Sequence, residues 1–315
     1  MLGLDFNLQS GNGKHKGKLF SHLSLSPDKS DYSHASWYMY SVRNFTFHWN
    51  HEYVGKDYRA DVGFVPRIQN FNSETGQYEY KSYWRIEPSF SYRFYPKNKK
   101  INTISPEVYL SEYYDENFKQ TETWFGTGLN FNMVDQSKFG VRGVYRSTLL
   151  LFDTDITFSG NIPHSKGYYF YNHVYAFYES APTKVFGYSV SANYGGYYSG
   201  EKLTYSGDIS YRIQPKFKAS LGFDQNNIWF DSLRNEVSFT LLSPKIEYQL
   251  NKKVFFTTFL QYNTQVENVN LNARFQYRFR PMSDLFIVYT DNYDSNIFGV
   301  KNRALVIKLV WWLNV

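Results

Sequence analysis

From residue 268 the chain alternates. NVNLNARFQYRFR puts Val269, Leu271, Ala273, Phe275, Tyr277 and Phe279 on one side of an extended strand. Asn268, Asn270, Asn272, Arg274, Gln276, Arg278 and Arg280 fall on the other. LTYSGDISYRIQ repeats the pattern, opposing Leu203, Tyr205, Ile209, Tyr211 and Ile213 to Thr204, Ser206, Asp208, Ser210, Arg212 and Gln214. Near the start Leu2, Leu4, Phe6 and Leu8 oppose Asp5, Asn7 and Gln9, and ALVIKLVWWLNV closes the sequence with Leu305, Ile307, Leu309, Trp311, Leu313 and Val315 on one face. No segment shows a helical period, a linker composition or low complexity. The pattern predicts a single all-β domain over residues 1–315.

Turn residues cut the chain into about 18 strands: 2–9, 17–25, 35–43, 44–53, 58–70, 77–95, 101–112, 119–133, 138–150, 166–179, 185–198, 203–214, 216–226, 235–250, 253–264, 268–280, 284–292 and 303–315. Pro88 and Pro244 fall inside strands, and the apolar parity shifts across Pro244, which predicts a bulge there. Tight connections (PKNKK, MVDQSK, SAPTK, QPK, LNKK, PMSD) alternate with longer ones (SEYYDENFK, LFDTDITFSGNIPHSK, NNIWFDSLRN, DNYDSNIFGVKN). SVRN and SPDKSDYSHA break that order, so a count of 16 stays open beside 18.

A β-sandwich also alternates. Three features favour a closed antiparallel transmembrane barrel of about 16–18 strands. The strands are long enough to cross an apolar band when tilted. Aromatic residues gather at strand ends (Trp37-Tyr38, Tyr113-Tyr114, Tyr197-Tyr198, Trp311-Trp312). Closure of the last strand onto the strand at Leu2 would remove two sticky edges.

Composition sharpens this. Aromatics are 21% of 315 residues, with 30 Tyr and 28 Phe, as suits strands at an apolar–polar boundary. There are no cysteines, which removes disulfides and thiol chemistry. The net charge of +6 is dispersed, its longest basic cluster being KNKK at 97–100, so no nucleic-acid partner is expected. Mean hydropathy is −0.52, and no apolar run approaches the ~20 residues of a membrane helix. Transmembrane strands, apolar only at alternate positions, escape that measure. Met1 leads directly into LGLDFNLQ, with no signal peptide visible, as expected of a mature or a shortened chain.

HEYVGKDYRADVGFVPR (51–67) and RFRPMSDLFIVYTDNYD with NRALVIKLVWWLN resemble the C-terminal barrel region of a family of uncharacterised outer-membrane proteins of Bacteroidota. Gly63–Arg67 and Ser283–Tyr289 carry the likeness, which runs through essentially all of the chain. In that family a carbohydrate-binding-like domain precedes the barrel, and residues 1–315 are expected to hold the barrel alone. The resemblance implies fold and a Gram-negative outer-membrane location, and no activity.

Candidate chemistry is sparse. His22 and Ser24 share a face with the spacing of outer-membrane phospholipase, yet Leu19, Leu23 and Leu25 claim the lipid side and no acid is evident to orient His22. His48 with Glu52, and Asp61 nearby, could suggest a metal or protease pair, but Thr46, His48, Asn50 and Glu52 read as the polar face of a strand. Asp115-Glu116, Asp153 with Asp155, and Asp291 with Asp294 read as solvated loop tips, and Gly11-Asn12-Gly13 and Gly195-Gly196 as turn or packing glycines. No catalytic residue, metal or cofactor is expected. The pore-lining candidates are Arg212, Lys218, Arg274, Arg278, Arg280 and Lys308, countered by Asp208 and Asp224. They predict a mildly anion-preferring pore for small hydrophilic solutes, saccharides among them. The alternative is a scaffolding barrel within a larger envelope complex, its lumen filled by a loop such as 151–166. Expected partners are lipid, lipopolysaccharide, envelope proteins and saccharide ligands.

Overall fold

A computed structural model describes residues 1–315 apart from 61–64, 66, 98, 158–163, 231–234, 298 and 314–315. The described residues form nineteen strands and no helix: β1 (Leu2–Gln9), β2 (His15–Leu25), β3 (Ser30–Ser41), β4 (Phe45–Val54), β5 (Gln69–Asn72), β6 (Gln77–Tyr80), β7 (Tyr83–Tyr92), β8 (Ile101–Tyr114), β9 (Gln120–Met133), β10 (Lys138–Leu150), β11 (Gly167–Glu179), β12 (Phe186–Tyr197), β13 (Gly200–Ile213), β14 (Phe217–Phe230), β15 (Asn235–Gln249), β16 (Val254–Asn263), β17 (Asn268–Arg280), β18 (Ser283–Asp294) and β19 (Val300–Val310). All but β5 and β6 belong to one seventeen-stranded sheet. The all-β expectation holds, and the expectation of an even count does not. No β1–β19 ladder exists among the described residues, so the sheet is not closed as the sequence had predicted. Every residue of β1 is exposed, as is every residue of β19 except Val310.

The chain divides into two compact units. The first comprises Met1–Val134, Phe139–Tyr175 and Gly195–Gly200. In it β1, β2, β3, β4, β7, β8 and β9 pair antiparallel in succession. The expected strand over 58–70 is absent, in part because 61–64 and 66 lie outside the described residues. Tyr58 and Ile68 instead pack with Val54 and Tyr83 in a small core, joined by Val65 and Tyr113. Side chains at 58, 65 and 68 converge on one cluster, which a pleated strand would scatter over both faces. At the exit from β4 a Cβ on Gly55 would stand 2.0 Å from the Asp31 carboxylate, so a larger residue there would displace that side chain. That carboxylate accepts the Asp57 N–H at 3.0 Å. Lys29 donates to Asp57 at 2.7 Å and holds its carboxyl below the usual range. The hairpin β5–β6 follows, so the predicted strand 77–95 is two elements, β6 and β7.

Losing one spanning strand at 58–70 corrects the order of the connections. SVRN now joins the tight set (10–14, 42–44, 93–100, 134–137, 180–185, 214–216, 250–253 and 281–282). SPDK falls in the other set, of which only 55–82 and 151–166 are long. β8, β14 and β18 continue to Tyr114, Phe230 and Asp294, into stretches predicted as long loops, because the strands run on beyond their apolar stretches.

The second unit comprises Asp135–Lys138, Ala176–Tyr194 and Glu201–Val315, with β13 to β19 pairing in succession. Its apolar face runs unbroken through Phe256–Phe275–Ile287–Ile307 and through Tyr277–Leu285–Leu309. That face is the exposed one inward of the edge strand too: Phe256 is 40% and Tyr277 38% accessible. The predicted bulge at Pro244 does not occur. The ladder to β14 passes through Leu221↔Pro244, and the ladder to β16 omits Ser243 and Pro244 without changing register. Proline has no N–H to donate. The parity shift has another cause. Gln225, Asn227, Ser238 and Thr240 form a hydrogen-bonded polar patch on the same face as Leu242 and Ile246, so the apolar band simply ends between Thr240 and Leu242. Among the described residues, the buried side chains comprise eleven apolar and fourteen polar ones, an inversion of the usual interior.

Candidate functional site

The polar face of β13–β18 gathers most of the expected lining residues. Register sets Arg212 beside Lys218, Lys218 beside Glu247, Glu247 beside Thr257, and Thr257 beside Arg274. Directly opposed residues share a face, so these five make one row across five strands. A groove of about 480 Å³ follows that row, lined also by Gln249, Phe255 and Gln276. Glu247, its one acidic lining residue, is engaged by Lys245 at 2.9 Å. Arg212, Lys218 and Arg274 have no carboxylate partner among the described residues, so the groove carries excess positive charge. Asp208 and Asp224 share this face but stand four and six residues from Arg212 and Lys218 along their own strands. That is about 13 and 20 Å at strand rise, too far to neutralise them.

The three candidate arginines of β17 stand in different surroundings. Arg278 Nε lies 3.1 Å from Asp284, a buried carboxylate that Gln276 also reaches at 2.9 Å. A register shift then separates Arg278 from Arg280. Arg280 lies over the Trp311 ring at 5.5 Å. Among the described residues, Arg274 alone of the three has neither an ion pair nor a ring partner. Lys308 is exposed beside Phe286, on the face of Gln276.

The first unit shows what sequence reading missed. Its polar face is a chain of ion pairs. Glu52 meets Arg85 at 3.3 Å, Arg85 meets Glu87 at 3.5 Å, and Glu87 accepts from Asn50 and Ser111. Glu107 meets Arg142 at 2.7 Å. Glu122, buried on β9, accepts from Arg146 at 2.7 Å, from Arg67 and from the Trp124 indole. Arg146 stacks on Trp124 and Arg67 on Tyr113, each 3.7 Å from the ring centroid. Gly126 makes room for this face, since a Cβ there would stand 2.2 Å from the Tyr109 ring. Four acids balance four arginines. The i, i+2 spacing of Arg85 and Glu87 and the i, i+4 spacing of Arg142 and Arg146 marked a charged face. Which charge meets which depends on strand register, which spacing does not encode.

The weaker candidates resolve as follows. Asp5 stands 3.9 Å from His22, the acid that sequence reading had not found, and it also meets Lys18 at 3.2 Å. Ser24 is buried with its hydroxyl accepting the Arg59 N–H, so it is not aimed at His22. His48 stacks on Trp37, Glu52 is held by Arg85, and Asp61 lies outside the described residues, as do Gly63 and Phe64 of the family-like motif. Asp291 is no loop tip. It is wholly buried within β18, bonded to Tyr289, Tyr293 and Arg303. Asp153 accepts from the Lys166 N–H and Asp155 from Thr157, contacts within their own loop. No family model, curated protein or solved structure matches the chain.

Proposed function

We propose that the chain is an outer-membrane β-barrel whose polar face lines a pore for small hydrophilic solutes, with a preference for anions. The observation that carries this reading is the inversion of burial. Leucine, isoleucine and phenylalanine stand exposed at alternate positions, while serine, threonine and paired charges are covered. In water such a face would aggregate; against lipid it is the matched surface, and the ladders satisfy the backbone. Lipid and lipopolysaccharide are then the partners of the apolar face, in a Gram-negative outer membrane. Seventeen strands in up-and-down succession leave β1 and β19 running in the same sense, so the closure we propose is a parallel seam between them.

Anion preference follows from Arg212, Lys218 and Arg274, whose charges lack partners. In a lumen with low-dielectric walls they raise the local anion concentration, and salt screens the effect over ~10 Å at 0.1 M. Reconstituted in planar bilayers, the protein should conduct with anion preference at low salt that fades as ionic strength rises. Arg212→Gln with Arg274→Gln should abolish the preference and leave the pore open. Cation preference in the unaltered protein would defeat the role of these residues. The paired network around Glu122 favours a second reading, a scaffold whose lumen is occluded by its own contacts, and that reading predicts no conductance at all.

A further inference from the structure

The polar face of β16 and β18 carries residues that lining a water-filled pore does not require. Phe255, Phe259 and Phe286 stand on it, half-buried, where alternation would place polar side chains. Each ring has a hydrogen-bonding or charged neighbour on both sides. Phe255 lies between Gln249 and Gln276, Phe259 between Lys245 and Asn272, and Phe286 between Gln276 and Lys308. A bare anion path would gain nothing from rings, which weaken the hydration of a passing ion. We infer that this face is a binding track for a carboxylated sugar chain.

The chemistry matches group by group. A pyranose ring presents a C–H face that packs on an aromatic ring and a rim of hydroxyls that reach lateral amides. A uronate carboxylate pairs with a guanidinium through two parallel hydrogen bonds. Arg212 and Arg274, both without a carboxylate partner, stand four strand steps apart, roughly 19 Å at the usual spacing. An elongated ligand with repeated carboxylates spans them, and a compact one does not. A neutral sugar would leave the cations uncompensated, and a compact polyanion would leave the rings unused.

This inference rests on the proposed pore only for how the ligand arrives; binding is measured apart from it. Folded protein in detergent, its folding checked by heat-modifiable migration, is titrated calorimetrically with trigalacturonate, with maltotriose and with citrate, which matches the trisaccharide's charge of three. Trigalacturonate should bind at least tenfold tighter than either control. Arg274→Gln and Phe255→Ala should each weaken it about tenfold. Phe255→Ala should leave citrate unchanged, and Leu305→Ala, on the opposite face and outside the groove, should change nothing. Citrate binding as tightly as trigalacturonate, or an unaltered affinity in Phe255→Ala, would overturn the track. Binding without conductance would retain the track and remove the pore; conductance without binding would do the reverse.

Discussion

Phe275→Arg should destabilise the folded protein by roughly 2–4 kcal/mol, the cost of an arginine near the midplane on the lipid side of a barrel. Phe275 lies between Phe256 and Ile287 in the middle of the exposed apolar face, with no polar group at its register level to receive a guanidinium. Arg274→Phe, one residue away, should fold almost normally, because its neighbours Thr257 and Val288 leave it no ion pair to lose. Urea titration of protein refolded into lipid vesicles measures both. The reverse order of costs would mean that the polar face meets the lipid.

Glu122→Ala should cost about 3–5 kcal/mol, the range for removing one partner from a buried ion pair. The Glu122 side chain is 8% accessible and satisfies two guanidiniums and an indole N–H. Truncation leaves Arg146 half-buried, with a side chain whose Nε already has no hydrogen-bond partner among the described residues. The loss belongs to the stranded charge, so Glu122→Ala with Arg146→Leu should recover much of it. The same urea titration decides. A loss below about 1 kcal/mol, as for exposed pairs, would show that water screens this network.

Much of the fold was legible because a strand with one apolar face writes a period of two into the sequence. NVNLNARFQYRFR was read residue for residue, and β17 occupies that range. Failures came where period and structure part. Over 58–70 the apolar residues build a local core instead of a sheet face. Across Pro244 a change in surroundings along one regular strand imitated a bulge. At NNIWFDSLRN a polar composition suggested a loop, although β14 continues to Phe230. The site was half legible. Charge on the polar face of β13–β17 followed from parity, and so did the grouping of Arg212, Lys218 and Arg274. The neutralisation of Arg278 by Asp284 and the departure of Arg280 towards Trp311 followed from a register shift. Phe255, Phe259 and Phe286 were invisible because β16 is apolar on both faces, which leaves parity nothing to choose between.

Closure of the sheet between β1 and β19 can be read out by disulfide trapping. The chain has no cysteine, so every thiol is one that is introduced. Leu4 or Phe6 of β1 would be replaced by cysteine together with Leu305, Ile307 or Leu309 of β19, and the folded protein oxidised in lipid. Adjacent strands bring such pairs within the 4.4–6.8 Å between Cα atoms that a disulfide spans. A parallel seam predicts rapid intramolecular cross-linking at one register, with the best β19 partner moving towards the C-terminus when the β1 cysteine moves from position 4 to position 6. A best partner that moves the other way, or no intramolecular disulfide at any register, would contradict the closed barrel proposed for this chain.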